Sequence, residues 1–186
     1  LRELIYDIGG GIPGGRELKA VIPGGSSVQV LGADAVDTPL DFNSVVEAGS
    51  ALGAAAVIVI DDRACMVQLA LRASQFYMHE SCGKCTPCRE GTRWMVQLLE
   101  KIEDGRAEQW ELNLLLSVAD RVLGKCLCAL GDFAAGPVIA YVDNFREEFQ
   151  AHIDEGGCPF GGESSLEGVF APVDQHTHHP VAEVPA

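Results

Sequence analysis

Apolar residues recur at helical spacing along most of the chain from residue 64 onward. Four stripes follow one another, and each fits one face of an amphipathic α-helix. Because only short connections separate them, the pattern predicts a four-helix bundle over residues 64–150. The stripes consist of Met66, Leu69, Ala70, Ala73, Phe76 and Tyr77; Trp94, Met95, Leu98, Leu99 and Ile102; Leu112, Leu115, Leu116, Ala119, Val122 and Leu123; and Val138, Tyr141, Val142, Phe145 and Phe149.

The first 63 residues differ, because short apolar runs alternate there with loops rich in glycine and proline. These runs predict a small sheet with short helices, which makes the whole chain an α+β protein. The predicted strands are too few for a complete sheet, so we expect a partial domain over residues 1–63. We also expect that the chain, which starts at Leu1, lacks its natural N-terminus. The predicted strands cover 18–22, 28–31 and 54–60, and the predicted short helices cover 1–8 and 41–48.

Residues 151–186 lack a regular apolar period and contain nine glycines or prolines and four of the five histidines. Such a composition predicts an extended or disordered tail. His176, His178 and His179 could bind a metal ion, but a solvated tail is the more common role of such a segment.

Charge and composition exclude several classes of protein. The chain carries 27 acidic against 13 basic residues, a formal net charge of −14, which disfavours binding to nucleic acids or anionic membranes. With 47% hydrophobic residues it can form a core. No apolar stretch approaches the roughly 20 residues of a membrane span, and no signal peptide is recognisable. We therefore predict a cytoplasmic protein.

The cysteines cluster in a way that indicates metal binding rather than disulfide bonds. Cys82, Cys85 and Cys88 have C-x-x-C-x-x-C spacing in the loop between the first two predicted helices. Three thiolates at this spacing can bind three corners of an iron–sulfur cubane. Cys126 and Cys128 lie between the third and fourth helices, at the same end of an up-down bundle. The sequence thus predicts a [4Fe–4S] site, and either remote cysteine fits as the fourth ligand.

Structural zinc is the alternative for this site. Zinc sites with four thiolates usually combine two C-x-x-C pairs, whereas this chain has a triplet and a C-x-C pair, which leaves one thiol without a role. Cys65 and Cys158 stand alone in the sequence, and their spacing indicates no site.

A glycine-rich stretch near the N-terminus resembles a nucleotide-binding loop only in its letters. Gly9, Gly11 and Gly14 match G-x-G-x-x-G, but they follow a predicted helix instead of a strand. Pro13 and Gly15 interrupt the helix that should follow and receive a phosphate. The stretch is therefore interpreted as a loop.

The sequence ESCGKCTPCREGTRW, followed by CALGD, resembles the C-terminal part of the NADH-binding flavoprotein component of NADH-quinone oxidoreductase (respiratory complex I). It is also similar to the diaphorase subunits of NAD-linked hydrogenases and formate dehydrogenases. Upstream, LRELI and LKAVIPGGSS resemble the soluble-ligand-binding β-grasp domain of that family. The resemblance covers roughly residues 1–150.

This resemblance implies a partial ubiquitin-like β-grasp domain over residues 1–63, followed by a four-helix domain over 64–150 that holds one [4Fe–4S] cluster. The cysteine of the CALGD motif is the last ligand in the family, which corresponds to Cys128. The implied ligand set is therefore Cys82, Cys85, Cys88 and Cys128. Asp132 of the same motif is expected to cap the fourth helix.

The resemblance also implies a function in electron transfer. In the family, a Rossmann-like domain that is absent from this chain binds FMN and NAD, so we expect neither on this chain. Electrons from NADH-reduced FMN would pass through the cluster toward quinone or another acceptor. The implied partners are a ferredoxin-like [2Fe–2S] subunit and a large iron–sulfur subunit, in the cytoplasmic peripheral arm of a membrane-associated complex.

Overall fold

The computed structural model describes residues 1–161 and 163–166. The three tail histidines considered above, His176, His178 and His179, lie outside these described residues. Within them, a small sheet with short helices precedes a set of longer helices. This arrangement confirms the predicted α+β class. None of the helices in the described ranges is long and apolar enough to cross a membrane.

The N-terminal part is built around a three-stranded antiparallel sheet with β1 in the centre, in the order β2-β1-β3. The predicted strand from residue 54 begins only at Ile58, since the small residues before it form a turn and an irregular segment. The strands are β1 (Leu18–Ile22), β2 (Leu31–Gly32) and β3 (Ile58–Asp61), and the short helices are a π-helix (Glu3–Ile8), two 3₁₀ turns (Pro13–Gly15 and Ala33–Asp37) and α1 (Phe42–Glu47).

The central strand β1 contributes to two cores because successive side chains point to opposite faces of a sheet. Ala20 and Ile22 belong to the main core, which they share with the long helices. Val21 belongs to a smaller cluster that includes Leu1 and Ile5. The sheet therefore lies between the helices and the N-terminal segment.

The helical part consists of α2 (Met66–Glu80), α3 (Thr86–Glu103), α4 (Gln109–Val122), α5 (Leu130–Asn144) and α6 (Arg146–Glu155). Among α2 to α5, each helix contacts its successor in the chain, and α2 also contacts α5. The loops after α2 and after α4 consequently lie at one end of this group. Fully buried side chains such as Met95, Leu99 and Leu112 fill the space between the helices.

The structure differs from the predicted pattern at the end of the fourth stripe. The stripe predicts one helix through residue 149, but α5 ends at Asn144 and the separate helix α6 starts at Arg146. The composition predicts an extended tail from residue 151, yet α6 continues to Glu155. The fully buried Phe149 and His152 fix this helix against the core, and the small number of apolar residues in it conceals the helical period.

The ends of α3 and α6 meet at two glycines. Gly105 follows the C-cap of α3 with φ of +65°, and a Cβ atom added there would lie 1.9 Å from the carbonyl carbon of Gly156. Gly156 is the C-cap of α6 and has a left-handed conformation. Two backbones therefore touch where any side chain would separate them.

We predict that Gly105→Ala destabilises the chain more than the matched variant Gly49→Ala. Both glycines follow a helix end with positive φ, which costs alanine about 1–2 kcal/mol, but nothing lies within 4 Å of a Cβ atom at Gly49. The clash at Gly105 should add about 1–3 kcal/mol. Thermal and chemical denaturation of both variants measure this difference, and equal effects would contradict the close contact.

Candidate metal centre

The cysteine triplet lies where α2 ends and α3 begins. Cys82 is exposed in the connection, Cys85 is the N-cap residue of α3, and Cys88 is buried in the first turn of that helix. The Ser81 hydroxyl lies 3.2 Å from Cys88 Sγ and accepts a hydrogen bond from the Gly83 N–H. A tight turn therefore brings the three thiols to one helix end.

Arg89 holds this turn from the side of α3. Its Nη1 donates to the Gly83 carbonyl oxygen at 2.7 Å, and its Nε donates to Glu90 Oε1 at 2.8 Å. Gly83 has φ of +74°, which glycine adopts without a steric penalty. The guanidinium group thus stabilises the loop and places a positive charge beside the thiols.

The loop between α4 and α5 lies directly against the triplet. The backbone N–H of Leu127 donates to Cys85 Sγ at 3.3 Å, across 42 positions of sequence. The Gly124 N–H donates to Asp132 Oδ1 at 2.6 Å, which closes the loop. The expectation that Asp132 caps α5 is wrong, because the α5 N-cap, Ala129, has no side-chain cap and Asp132 binds the end of the preceding helix instead.

Two glycines allow this close approach of helices and loops. A Cβ atom at Gly91 of α3 would lie 2.3 Å from Val122 Cγ2 of α4. One at Gly131 of α5 would lie 2.6 Å from Cys126 Sγ. A larger residue at either position would displace the side chain packed there, Val122 or Cys126.

The two remote cysteines have different surroundings. Cys126 is partly buried against the main core, and burial, followed by the charges of Cys88 and Cys85, raises the pKa of its thiol. Cys128 is exposed and directly precedes the N-cap residue of α5. Both thiols belong to the loop that contacts Cys85, so both are candidates for the fourth ligand.

The donor set fits an iron–sulfur cluster. Thiolates are its usual protein ligands, and backbone N–H groups near the sulfurs stabilise the anionic centre, as the Leu127 N–H does at Cys85. The first turn of α3 adds N–H groups at the positive end of a helix dipole.

Comparison with known proteins identifies the region. Residues 68–152 match the family described as the NADH-ubiquinone oxidoreductase-F iron-sulfur binding region, a 4Fe–4S family. Residues 68–152 are thus similar to the iron–sulfur binding region of this family. The resemblance seen in the sequence is therefore confirmed.

Relatives extend the similarity beyond that region. The chain is 47% identical over 166 residues to the F subunit of NADH-quinone oxidoreductase from Mycobacterium tuberculosis. It is 50% identical over 160 residues to the F 2 subunit of the same enzyme from Rhizobium meliloti. These matches cover 89% and 86% of the chain, which spans only 37% and 38% of the length of the two relatives.

A solved structure shows the same fold. The structure of an NAD⁺-reducing [NiFe]-hydrogenase in the H₂-reduced state matches with a TM-score of 0.67 and 30% identity. The match covers 74% of this chain and 24% of that chain.

Sequence reasoning missed a second group of side chains that could hold a metal ion. Cys65 and Cys158, which stand alone in the sequence, lie together with Glu103 and His152 at the other end of the helices. A signal was present in the short spacing between His152 and Cys158, but the two other residues are distant along the chain.

We predict that Asp132→Ala speeds the loss of iron from the cluster-loaded chain. Without the carboxylate that accepts a hydrogen bond from the Gly124 N–H, the loop between α4 and α5 loosens. A loss of about 1.4 kcal/mol of stabilisation corresponds to about tenfold faster release of iron. The rate of iron loss is measured as the transfer of iron to a chelator whose iron complex absorbs visible light. Asp143→Ala, an exposed aspartate on the same helix, is the control, and equal rates in both variants would contradict the role of Asp132.

Proposed function

We propose that this chain is the electron-transfer part of an NADH dehydrogenase, in which Cys82, Cys85, Cys88 and Cys128 bind a [4Fe–4S] cluster. The observation that carries the proposal is the contact between the two cysteine loops, in which Leu127 N–H donates to Cys85 Sγ, within a region of the 4Fe–4S family. The Cys85 sulfur already has the kind of backbone partner that a cluster ligand needs.

The bound cluster supplies a one-electron carrier between NADH-reduced FMN and a further acceptor. The residues of this chain supply the thiolates, donate hydrogen bonds to their sulfurs and shield one side of the cluster. Cys88 and Thr92 are buried, and the Thr92 hydroxyl donates to the Cys88 carbonyl at 2.8 Å, which stiffens the turn below the site. Cys82 and Cys128 are exposed, so the opposite side faces outward, where electrons enter or leave.

The finer architecture belongs to the same proposal. Helices α2 to α5 form the four-helix bundle around the cluster, and the three-stranded sheet is part of a ubiquitin-like β-grasp domain. FMN and NAD belong to the parent subunit in this proposal, as the resemblance implies, and are not expected on this chain. A ferredoxin-like [2Fe–2S] subunit and a large iron–sulfur subunit are the partners, in the cytoplasmic peripheral arm of a membrane-associated complex.

The choice of Cys128 over Cys126 depends on their surroundings. Cys126 contacts Gly131 and lies 3.8 Å from the Val122 carbonyl oxygen, so it occupies a small space between α4 and α5. Cys128 is exposed, as is Cys82 of the triplet. Cys126 is the alternative fourth ligand, because the charges of Cys88 and Cys85 act on its thiol.

Structural zinc at the cysteine loops is the other function considered, and the family match does not favour it. We predict that the chain reconstituted with iron and sulfide binds about four irons and gives the visible absorbance and reduced-state paramagnetic signal of a cluster. Metal analysis and electron paramagnetic resonance after dithionite reduction test this. Cys88→Ser should lose the signal, and a wild-type chain that takes zinc at these loops and no iron would contradict the proposal.

Replacement of the two remote cysteines separates the ligand assignments. We predict that Cys128→Ser loses most of the iron and of the paramagnetic signal, because a serine oxygen is a poor ligand for the cluster. Cys126→Ser should stay close to the wild type, since it changes a thiol packed between helices. Iron content and signal intensity of both variants measure the effect, and the reverse result would make Cys126 the ligand.

A further inference from the structure

A second set of metal-binding side chains lies away from the cysteine loops. Cys65, Glu103, His152 and Cys158 each direct one ligand atom to a common point, and these atoms all lie within 4.8 Å of one another. The residues come from the start of α2, the end of α3, α6 and the segment after α6. Four separate segments therefore converge at this place.

The measured separations fit a tetrahedral ion. In a tetrahedral zinc site, bonds of about 2.3 Å to sulfur and about 2.0–2.1 Å to nitrogen place a sulfur ligand about 3.5 Å from a nitrogen ligand. An oxygen ligand, with a bond of about 2.0–2.1 Å, lies about 3.3 Å from the nitrogen ligand. His152 Nε2 lies 3.3 Å from Cys65 Sγ and 3.4 Å from Glu103 Oε2. Cys65 Sγ lies 3.7 Å from Glu103 Oε2.

The surrounding hydrogen bonds orient the ligands toward that point. His152 is fully buried, and its Nδ1 lies 2.8 Å from the Glu148 carbonyl oxygen, which fixes the ring with Nε2 facing the group. The Gln68 N–H donates to Cys65 Sγ at 3.3 Å, as backbone groups do to metal-bound thiolates. Cys65 is itself fully buried at the N-cap of α2.

We propose that Cys65, Glu103, His152 and Cys158 bind one Zn²⁺ ion with four protein ligands. Two thiolates, one imidazole and one carboxylate are a donor set typical of zinc, and the three separations among Cys65, Glu103 and His152 fit its tetrahedral geometry. Since all four positions are filled by the protein, the ion is structural and leaves no open position for a substrate.

The zinc site is distinct from the cysteine loops. Cys65 precedes the first residue of α2 and Glu103 is the last residue of α3, while the triplet lies between the other ends of these helices. Helices of 15 and 18 residues place the two sites about 20–27 Å apart. The inference therefore does not depend on the proposed electron-transfer function.

The ion would join the C-terminal segment to the core. The Gly105–Gly156 contact already holds the ends of α3 and α6 together beside the site. Zinc would link these ends to the start of α2.

The proposal is tested by metal analysis of the full chain, which is expressed in medium that contains zinc and then reconstituted with iron. We predict about one zinc per chain in addition to the iron, and a zinc content reduced at least about fivefold in Cys158→Ser with unchanged iron. Glu147→Gln, an exposed change on α6, should keep both metals. Cys88→Ser should keep zinc while it loses iron.

Stability gives a second measurement. A zinc chelator should lower the melting temperature of the wild type and leave that of Cys158→Ser unchanged. If Cys158→Ser does not fold, which simultaneous loss of iron would reveal, Glu103→Gln takes its place, because it keeps the shape of the side chain. A wild-type chain without zinc, zinc that persists in the ligand variants, or a disulfide between Cys65 and Cys158 would each overturn the proposal.

Discussion

Bringing two cysteine loops that are distant in the sequence to one end of the helices is the constraint on which this structure depends. Thiolates held there for the proposed cluster would repel one another, so other interactions have to keep the loops together. The Leu127 N–H at Cys85 Sγ joins the loops, and Asp132 closes the second one. The helices supply the rest, because their order in the chain returns both loops to the same end.

Small residues are as important for this end of the molecule as the cysteines themselves. Gly91 lets α4 approach α3, and Gly131 lets α5 start beside Cys126. Protein interiors are packed densely, so a single added methyl group at either position would displace the Val122 or Cys126 side chain packed against it. The packing of the two cysteine loops is therefore determined partly by residues that cannot bind metal.

Much of this arrangement could be predicted from the sequence, and the exceptions have physical causes. The helical stripes predict α2, α3 and α4 because their apolar faces are regular. The break before α6 escapes such a prediction, since its period rests on a few buried residues such as Phe149. The cysteine triplet is visible as a local spacing. The group that includes Cys65 is not visible, because only the packing of helix ends brings such distant residues together.

The position of β1 between two cores has a consequence for how the molecule opens. Ala20 and Ile22 are buried with the helices, while Val21 is buried with the N-terminal cluster. Separating the sheet from the helices would expose apolar surface of β1 and leave the N-terminal cluster without its support. Amide protons of this strand should exchange only in the most extensive openings, and hydrogen exchange would register the two parts as one cooperative unit.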